Sequence, residues 1–414
     1  MLDEATNHAR LTLLMALRNL FRQRRRAALA LLIISGGVVT FLLAGGFIHW
    51  LLGNMRESTI HSQLGHVQVI RPGYFRQGLG DPYQYLLPAD SGVAKHAGVE
   101  RLRTVAPRLV FNGLISLGDN TALSFTGEGI EPELEAPIAR SVRIVAGNNL
   151  ASSEEQSAIL GQGLAANLGA RPGDTIVLLA NTAKGGLNAV ELKVVGTFAT
   201  TAKAYDDAAL RVPIDIARKL MRVEGATSWV VLLEETDGTD GAVERLRQAL
   251  PADKFEVIPW YELADFYNKT VKLFTRQVDV VRLLIALIVI LSISNTLSMA
   301  VIERTGEIGT TMALGVRRRG VMVMFLTEGA LLGAIGGLLG VGLGALLAMA
   351  ISAVGIPMPP PPGMDIGFIG RISISPGLAM DAFTLAFITT LLASIMPAWK
   401  ASRMNIVDAL RHQR

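Results

Sequence analysis

The chain has 414 residues, half of them hydrophobic and 18% charged, with 42 glycines and a net charge of +4, and its mean hydropathy is +0.40. The lack of cysteine excludes disulfides, thiol chemistry, Cys-based metal sites and an acylated N-terminal cysteine. The basic surplus does not read as a nucleic-acid surface, because the arginines gather at the ends of apolar runs, where membrane topology accounts for them.

Residues 1–26 form a polar leader carrying Arg10, Arg18, Arg22, Arg24, Arg25 and Arg26. The apolar run 27–52 that follows is long enough to cross a bilayer at about 1.5 Å per residue. It is about twice the length of a signal-peptide apolar region, so it is expected to be a retained first transmembrane helix.

Residues 53–277 are of mixed composition. Alternation predicts strands at His66–Ile70 and Glu191–Phe198, and Trp229–Leu233 reads as a further strand. Leu109–Phe125 reads as two short strands around the hairpin signal Gly118-Asp119-Asn120. Ala158–Ala170 suits a helix, Arg171-Pro172-Gly173-Asp174 a turn into the strand Thr175–Ala180, and Ala242–Leu250 a second helix. The pattern is α+β, with room for two lobes, and Tyr261–Gln277 reads as a helical stalk leading into the next span.

The second span, 278–302, contains the apolar run Leu283–Ile302 with Asp279 and Arg282 just before it. A short charged segment, 303–320, separates it from a third apolar run, 321–355, which exceeds a simple span and is expected to be tilted, broken or partly interfacial. A Pro-rich loop, 356–377, leads to the fourth run, 378–399, and a basic tail, 400–414. Arg304 and Arg317–Arg319 lie between spans two and three. Lys400, Arg403, Arg411 and Arg414 follow span four, whereas only Arg371 lies between spans three and four. The positive-inside rule places both termini and 303–320 in the cytoplasm. The expected fold is an α-helical membrane protein with four transmembrane helices and a large α+β extracytoplasmic domain inserted between helices 1 and 2.

Within the 303–320 segment, Glu303, Arg304, Thr305, Glu307, Ile308, Met312 and Leu314 can form an amphipathic turn or two, with Gly315 as a natural stop. A connection that only reverses direction takes about four to six residues. This one is longer and mixes apolar side chains with charge. A docking element for a partner protein and an interfacial helix with its basic end on lipid headgroups both remain open.

The third span carries glycines at four-residue spacing, Gly329, Gly333 and Gly337, with Gly336, Gly340 and Gly344 beside them. Such stripes let helices approach closely, between two permease chains or within one. Glu328, inside the span, needs a partner such as Arg304 or Arg317; Ser294 and Asn295 belong to a polar patch of span two that also holds Ser292, Thr296 and Ser298. A gate role is the sharper reading of Glu328, the patch, and Asp279 with Arg282, which are expected to pair locally. His49, His61 and His66 have no metal-site spacing, and Asp206-Asp207 and Glu234-Glu235 read as solvated loop charges.

The segment from Ser294 through Glu303-Arg304-Thr305-Gly306-Glu307-Ile308 to Ala313-Leu314-Gly315 resembles the FtsX/MacB superfamily of ABC transporter permeases. There, the pattern Glu-Arg-x-x-Glu-Ile-x-x-x-x-Ala-x-Gly is the coupling helix between spans two and three. Ala16–Arg22 and Leu64–Val69 are similar to the lipoprotein-releasing, LolC/LolE-like branch, and Ile159–Asp174 to a recurrent piece of the periplasmic core domain. The resemblance implies a non-catalytic permease in the bacterial inner membrane, driven by two copies of a separate ABC ATPase that binds the ATP and Mg. It also implies a second permease subunit, identical or paralogous, and a periplasmic carrier or adaptor; membrane lipid is a further partner, nucleic acid is not, and no cofactor is expected on this chain. The sequence agrees that a partner ATPase is needed, since no Gly-x-x-x-x-Gly-Lys-[Ser/Thr] occurs in it, and a 26-residue leader is expected to leave no room for a fused nucleotide-binding domain. A lipoprotein or another lipid-bearing molecule is the expected substrate. FtsX-like signalling to a cell-wall hydrolase and MacB-like extrusion of drugs or peptides are the alternatives.

Overall fold

The structure is a computed structural model that describes residues 15, 16, 18, 19, 22, 24–78, 80–95, 97–118, 122–151, 156–200, 202–359 and 367–405. Asp119 and Asn120 of the expected hairpin tip, Pro360–Pro362, and the basic residues Arg10, Arg411 and Arg414 lie outside these. Two compact units emerge, one comprising positions up to 52, 271–357 and 369 onward, the other 53–270 with 358–368.

Among the described residues, four helices are long and apolar enough to cross a membrane. They are α1 (Arg24–Thr59), α2 (Asp265–Glu303), α4 (Arg318–Val354) and α5 (Pro376–Ser402), with the short helix α3 (Thr305–Ala313) between α2 and α4. Two of the boundaries have a clear local cause. Ser375 caps α5, its hydroxyl accepting from the Leu378 amide at 3.2 Å, and Pro376 occupies the first turn, where no amide donor is needed. Gly355, at φ +78°, ends α4. That helix is one unbroken run of 37 residues, roughly 55 Å long against a hydrocarbon core of about 30 Å. The expected stalk is helical from Asp265 and runs unbroken into the second span within α2, but not from Tyr261. A short turn, Trp260–Leu263, is separated from α2 by Ala264, whose φ and ψ of −84° and 57° are not helical.

The second unit is built on one mixed sheet. Its strands are β1 (Val67–Ile70), β2 (Leu102–Ser116), β3 (Ala122–Ile130), β4 (Arg143–Gly147), β5 (Ser157–Gly161), β6 (Thr175–Asn181), β7 (Leu187–Ala199), β8 (Ala209–Pro213), β9 (Ser228–Leu233) and β10 (Glu256–Pro259). They run in the order β10-β1-β9-β2-β3-β8-β5-β7-β4, and β6 pairs with β2 and β7. β3 with β8 and β5 with β7 are parallel; the other pairs are antiparallel.

Two large hydrophobic cores share this sheet with smaller clusters. One gathers Leu109, Phe111, Leu160, Leu178, Val194, Val212 and Leu220; the other holds Val69, Val105, Trp229, Val231 and Leu246. The long strand β2 contributes Val105 to one and Leu109 and Phe111 to the other, so the lobes are continuous through it. The segment Ala158–Ala170 is not a single helix. Ser157–Gly161 is a strand with every residue buried, and the helix is only Gln162–Leu168. A short apolar run fits a fully buried strand as well as a helix, and here partners on both sides decide it.

Candidate functional site

The 303–320 segment begins at a break. Arg304, at φ −96° and ψ 13°, interrupts the helical path between α2 and α3, and Gly315, at φ +97°, ends the turn after α3. Thr305, the first residue of α3, turns its hydroxyl back to the Ile302 carbonyl at 2.7 Å. Between these stops α3 has two unlike faces. Ile308 and Met312 are buried against Val301, Val321, Phe325, Ala398 and Ala401. They therefore hold α3 onto the ends of the membrane helices and are not exposed docking side chains, as the sequence pattern suggested. Leu314 faces outward at 83% exposure and Val316 at 42%, followed by the exposed Arg317, Arg318 and Arg319.

Glu303 and Glu307 have partners inside the chain: Arg26 pairs with Glu303 and Arg22 with Glu307. The two acids and the two arginines are each four residues apart, so two helix faces meet in register. Asn19, on the same three- and four-residue repeat as Arg22 and Arg26, reaches the buried acid of α4. Its Nδ2 donates to Glu328 Oε1 at 2.7 Å, Arg304 Nη1 donates to the same oxygen at 3.1 Å, and Arg304 Nη2 donates to the Asn19 carbonyl at 3.3 Å. Arg304 and Glu328 have side chains only 8% and 6% exposed. Of the two arginines considered as partners of Glu328, Arg304 takes the role and Arg317 is exposed. A cavity of about 30 Å³ beside this node is lined by Asn19, Arg26, Thr296, Arg304 and Glu328 with apolar neighbours. The break residue Arg304, Asn19 and Glu328 of α4 thus form one connected polar node, beside the separate pairs Arg22–Glu307 and Arg26–Glu303. Sequence reasoning missed Asn19, Arg22 and Arg26, although the matching 22/26 and 303/307 spacings carried the signal.

The glycine stripes of α4 are both used within the chain. A Cβ on Gly329 would lie 2.6 Å from Ser394 Cβ, one on Gly333 3.1 Å from Thr390 Cβ, and one on Gly337 2.9 Å from Phe383, all on α5. On the other stripe, a Cβ on Gly336 would meet Ile34 at 2.8 Å, on Gly340 Val38 at 2.5 Å, and on Gly344 Leu42 at 2.8 Å, all on α1. Neither stripe is free for a second permease chain, which corrects that alternative. Asp279 and Arg282 are both exposed, and among the described residues no ion pair joins them, contrary to the local pairing expected. In the polar patch Ser294 is half-buried and Asn295 exposed, while Thr296 bonds the Ser292 carbonyl of its own helix at 2.8 Å.

Two further expectations change in the inserted domain. Asp206 is not a solvated loop charge: it is 2% exposed, and its carboxylate accepts from the Thr200 amide and hydroxyl, each at 2.8 Å. His61 and His66 do come together, edge to face, with ring centroids 6.0 Å apart. Both ring nitrogens of His66 are committed, however. Nδ1 accepts from the Leu233 amide at 3.0 Å, so the proton sits on Nε2, which lies 3.0 Å from the Thr236 hydroxyl; that hydroxyl in turn donates to Glu57 at 3.0 Å. Burial pushes the His66 pKa down to about 4, so the ring is neutral at pH 7.

Residues 27–249 match the family model described as the MacB-like periplasmic core domain, and residues 280–406 match the FtsX-like permease C-terminal model. The chain belongs to the MacB/FtsX family. It is an ABC transporter permease of that type and an integral membrane protein. The macrolide export ATP-binding/permease protein MacB of Rhodospirillum rubrum is 29% identical over 340 residues, covering 78% of this chain and 48% of that protein. An uncharacterized ABC transporter permease of Methanocaldococcus jannaschii is 26% identical over 274 residues, 64% of each chain. The chain thus spans about half to two thirds of the length of these curated relatives. The crystal structure of the periplasmic region of MacB from Actinobacillus actinomycetemcomitans aligns over 53% of this chain and 96% of that one, with 14% identity and a TM-score of 0.37.

Proposed function

We propose that this chain is the membrane subunit of a transporter driven by ATP hydrolysis in a separate ATPase chain, and that the ATPase docks on the 303–320 segment from the cytoplasmic side. The carrying observation is the division of labour within that segment. Glu303 and Glu307 are held by Arg26 and Arg22, and Ile308 and Met312 are buried. An apolar knob, Leu314 to Val316, and the basic triplet Arg317–Arg319 are left to meet a partner. The complementary surface is an apolar socket with an acidic rim. The exposed arginines at this end of the helices support a cytoplasmic location in a bacterial inner membrane.

For the cargo, the reading is a lipoprotein or another lipid-bearing molecule lifted from the outer leaflet and passed to a periplasmic carrier. Close packing of α4 against both α1 and α5 through glycine leaves little room for a hydrophilic channel within one chain. That favours work done by the inserted domain over passage through the bundle.

The test is purification of the complex with its ATPase, followed by hydrolysis assays with an acylated lipoprotein and the same protein lacking its acyl chains. Stimulation by the acylated form alone supports the reading. Equal response to both forms, or a response only to a cell-wall hydrolase, overturns the cargo assignment. Intact hydrolysis and co-purification after Leu314→Asp overturns the docking assignment.

A further inference from the structure

Helix α1 continues into a π-helical turn, Ile60–Leu64, and stops at Gly65, φ +62°. A Cβ at Gly65 would lie 2.4 Å from Val230 Cγ1 and 3.0 Å from the Val231 carbonyl, so only glycine lets the turn lie this close to β9. The last carbonyls of any helix lack intrahelical donors. Here three of them, in succession, accept from side chains of three different strands. Arg211 Nη2 on β8 donates to the Ser62 carbonyl at 3.0 Å, Arg108 Nη1 on β2 donates to the Gln63 carbonyl, and Gln68 Nε2 on β1 donates to the Leu64 carbonyl at 3.2 Å.

Each arginine is in turn gripped by its own acid. Arg211 Nε donates to Glu128 Oε2 at 3.0 Å. Arg108 forks onto both oxygens of Glu135, one bond measuring 3.1 Å. Arg108, Glu135 and Arg211 are 4%, 1% and 1% exposed, and Glu128 8%. Burial favours the neutral form of Glu128, but Arg211 and Arg108 outweigh it and hold the carboxyl below its ordinary range. Buried ion pairs of this kind add little net stability relative to apolar replacements, because desolvation offsets the attraction. An apolar pair, though, has no donor for a helix-end carbonyl. A cation at a helix C-terminus also opposes the negative end of the helix dipole, and π-turns in long helices are frequent at functional points.

We infer that Arg108 and Arg211 are positioning residues forming a two-pronged clamp on the π-turn at the end of α1, so that this turn moves with strands β2 and β8 as one body. The clamp stands on geometry alone. Its use, which is to carry displacement of the end of α1 into the sheet, rests on the transport reading above.

The test is hydrogen exchange of the full-length chain in lipid nanodiscs, read by mass spectrometry over residues 58–66 and over β5–β7. The paired change Arg211→Met with Glu128→Leu removes the clamp without leaving a buried charge, and Arg108→Lys keeps charge opposite Glu135 but loses the fork. Both variants are expected to exchange at least tenfold faster across 58–66, with β5–β7 protection unchanged. Unchanged exchange at 58–66 in the folded variants overturns the clamp. Equal acceleration in 58–66 and β5–β7 also overturns it, since the arginines would then only stabilise the sheet. ATP hydrolysis by the assembled complex is measured separately: if wild type shows no coupled activity, the transport reading fails while the exchange result still decides the clamp.

Discussion

Replacing Gly340 by Ala should damage the membrane unit, whereas the same replacement two residues later should not. A Cβ at Gly340 would lie 2.5 Å from Val38 Cβ, 2.8 Å from Val38 Cγ1 and 3.0 Å from Ser35 Cα, whereas a Cβ at Gly342 meets nothing within 4 Å. Carbon atoms pack at about 3.5–4.0 Å, so α4 and α1 would have to separate by roughly 1 Å. That shift would also loosen the contacts of Gly336 with Ile34 and of Gly344 with Leu42. Overpacking of this size costs about 1–3 kcal/mol. Ala is favoured over Gly in a helix by about 1 kcal/mol, but both sites lie inside α4, so this gain cancels in the comparison. Gly340→Ala is therefore expected to be less stable than Gly342→Ala by about 1–3 kcal/mol, seen as a lower apparent melting temperature of the purified chain in one detergent. Equal melting of the two variants, or a more stable Gly340→Ala, would refute the packing argument, because no other difference in helix position separates them.

Three further outcomes follow from the polar contacts. Glu328→Ala leaves Arg304 buried without its acid and should cost about 3–5 kcal/mol, whereas Arg304→Met with Glu328→Met should recover most of it. A double variant as unstable as the single would show that the pair is not the reason. Glu303→Ala with Glu307→Ala breaks two half-exposed pairs worth at most about 1 kcal/mol each, so melting should barely move and ATPase co-purification should persist, while Leu314→Asp should abolish it; the reverse pattern would return the acids to a docking role. His66 supplies the pH dependence. Its folded pKa of about 4 lies below the ordinary histidine value of 6.5, so the unfolded chain takes up a proton first as pH falls. Stability is thus full above about pH 6.5, declines towards pH 4 and levels below it, with a loss of up to about 2 kcal/mol at pH 5. His66→Gln should flatten the difference in melting between pH 7.5 and 5.0, and an unchanged slope would remove His66 as its source.

The membrane helices were legible because hydropathy and arginine placement are properties of a single segment. The strands of the inserted domain were legible where alternation was clean, as in the stretch Glu191–Val194 of β7, where exposed and buried positions alternate. What escaped depends on partners distant in the chain. Ser157–Gly161 has no alternation because both its faces are buried, and only pairing with β7 and β8 makes it a strand. Asp206 looked like half of a loop dipeptide, yet the amide and hydroxyl it caps lie six residues upstream. Arg211 stands in a strand whose residues are all buried, which signals that an acid must be near; its acid, Glu128, is 83 residues away.

The 303–320 segment illustrates a sharper limit. Its Glu-Arg-x-x-Glu-Ile pattern resembles that of a family's coupling helix, but a pattern does not say which side each residue faces. Ile308 and Met312 turn inward, and Glu303 and Glu307 close on arginines about 280 residues earlier in the chain. Arg304, between the two acids, breaks the helix and reaches the buried Glu328. Four of the residues the pattern offers to a partner therefore hold α3 in position, and under the proposed docking a variant at Glu303 or Glu307 alters the docking surface by moving that helix. A direct contact is to be sought at Leu314 and Val316, where the chain has left the helix and the apolar side chains are 83% and 42% exposed. Unlike truncation, the charge reversal Glu307→Arg sets two cations together at Arg22 and is expected to displace α3 and weaken binding; Arg22→Glu with Glu307→Arg is expected to restore it, whereas no such exchange rescues Leu314→Asp.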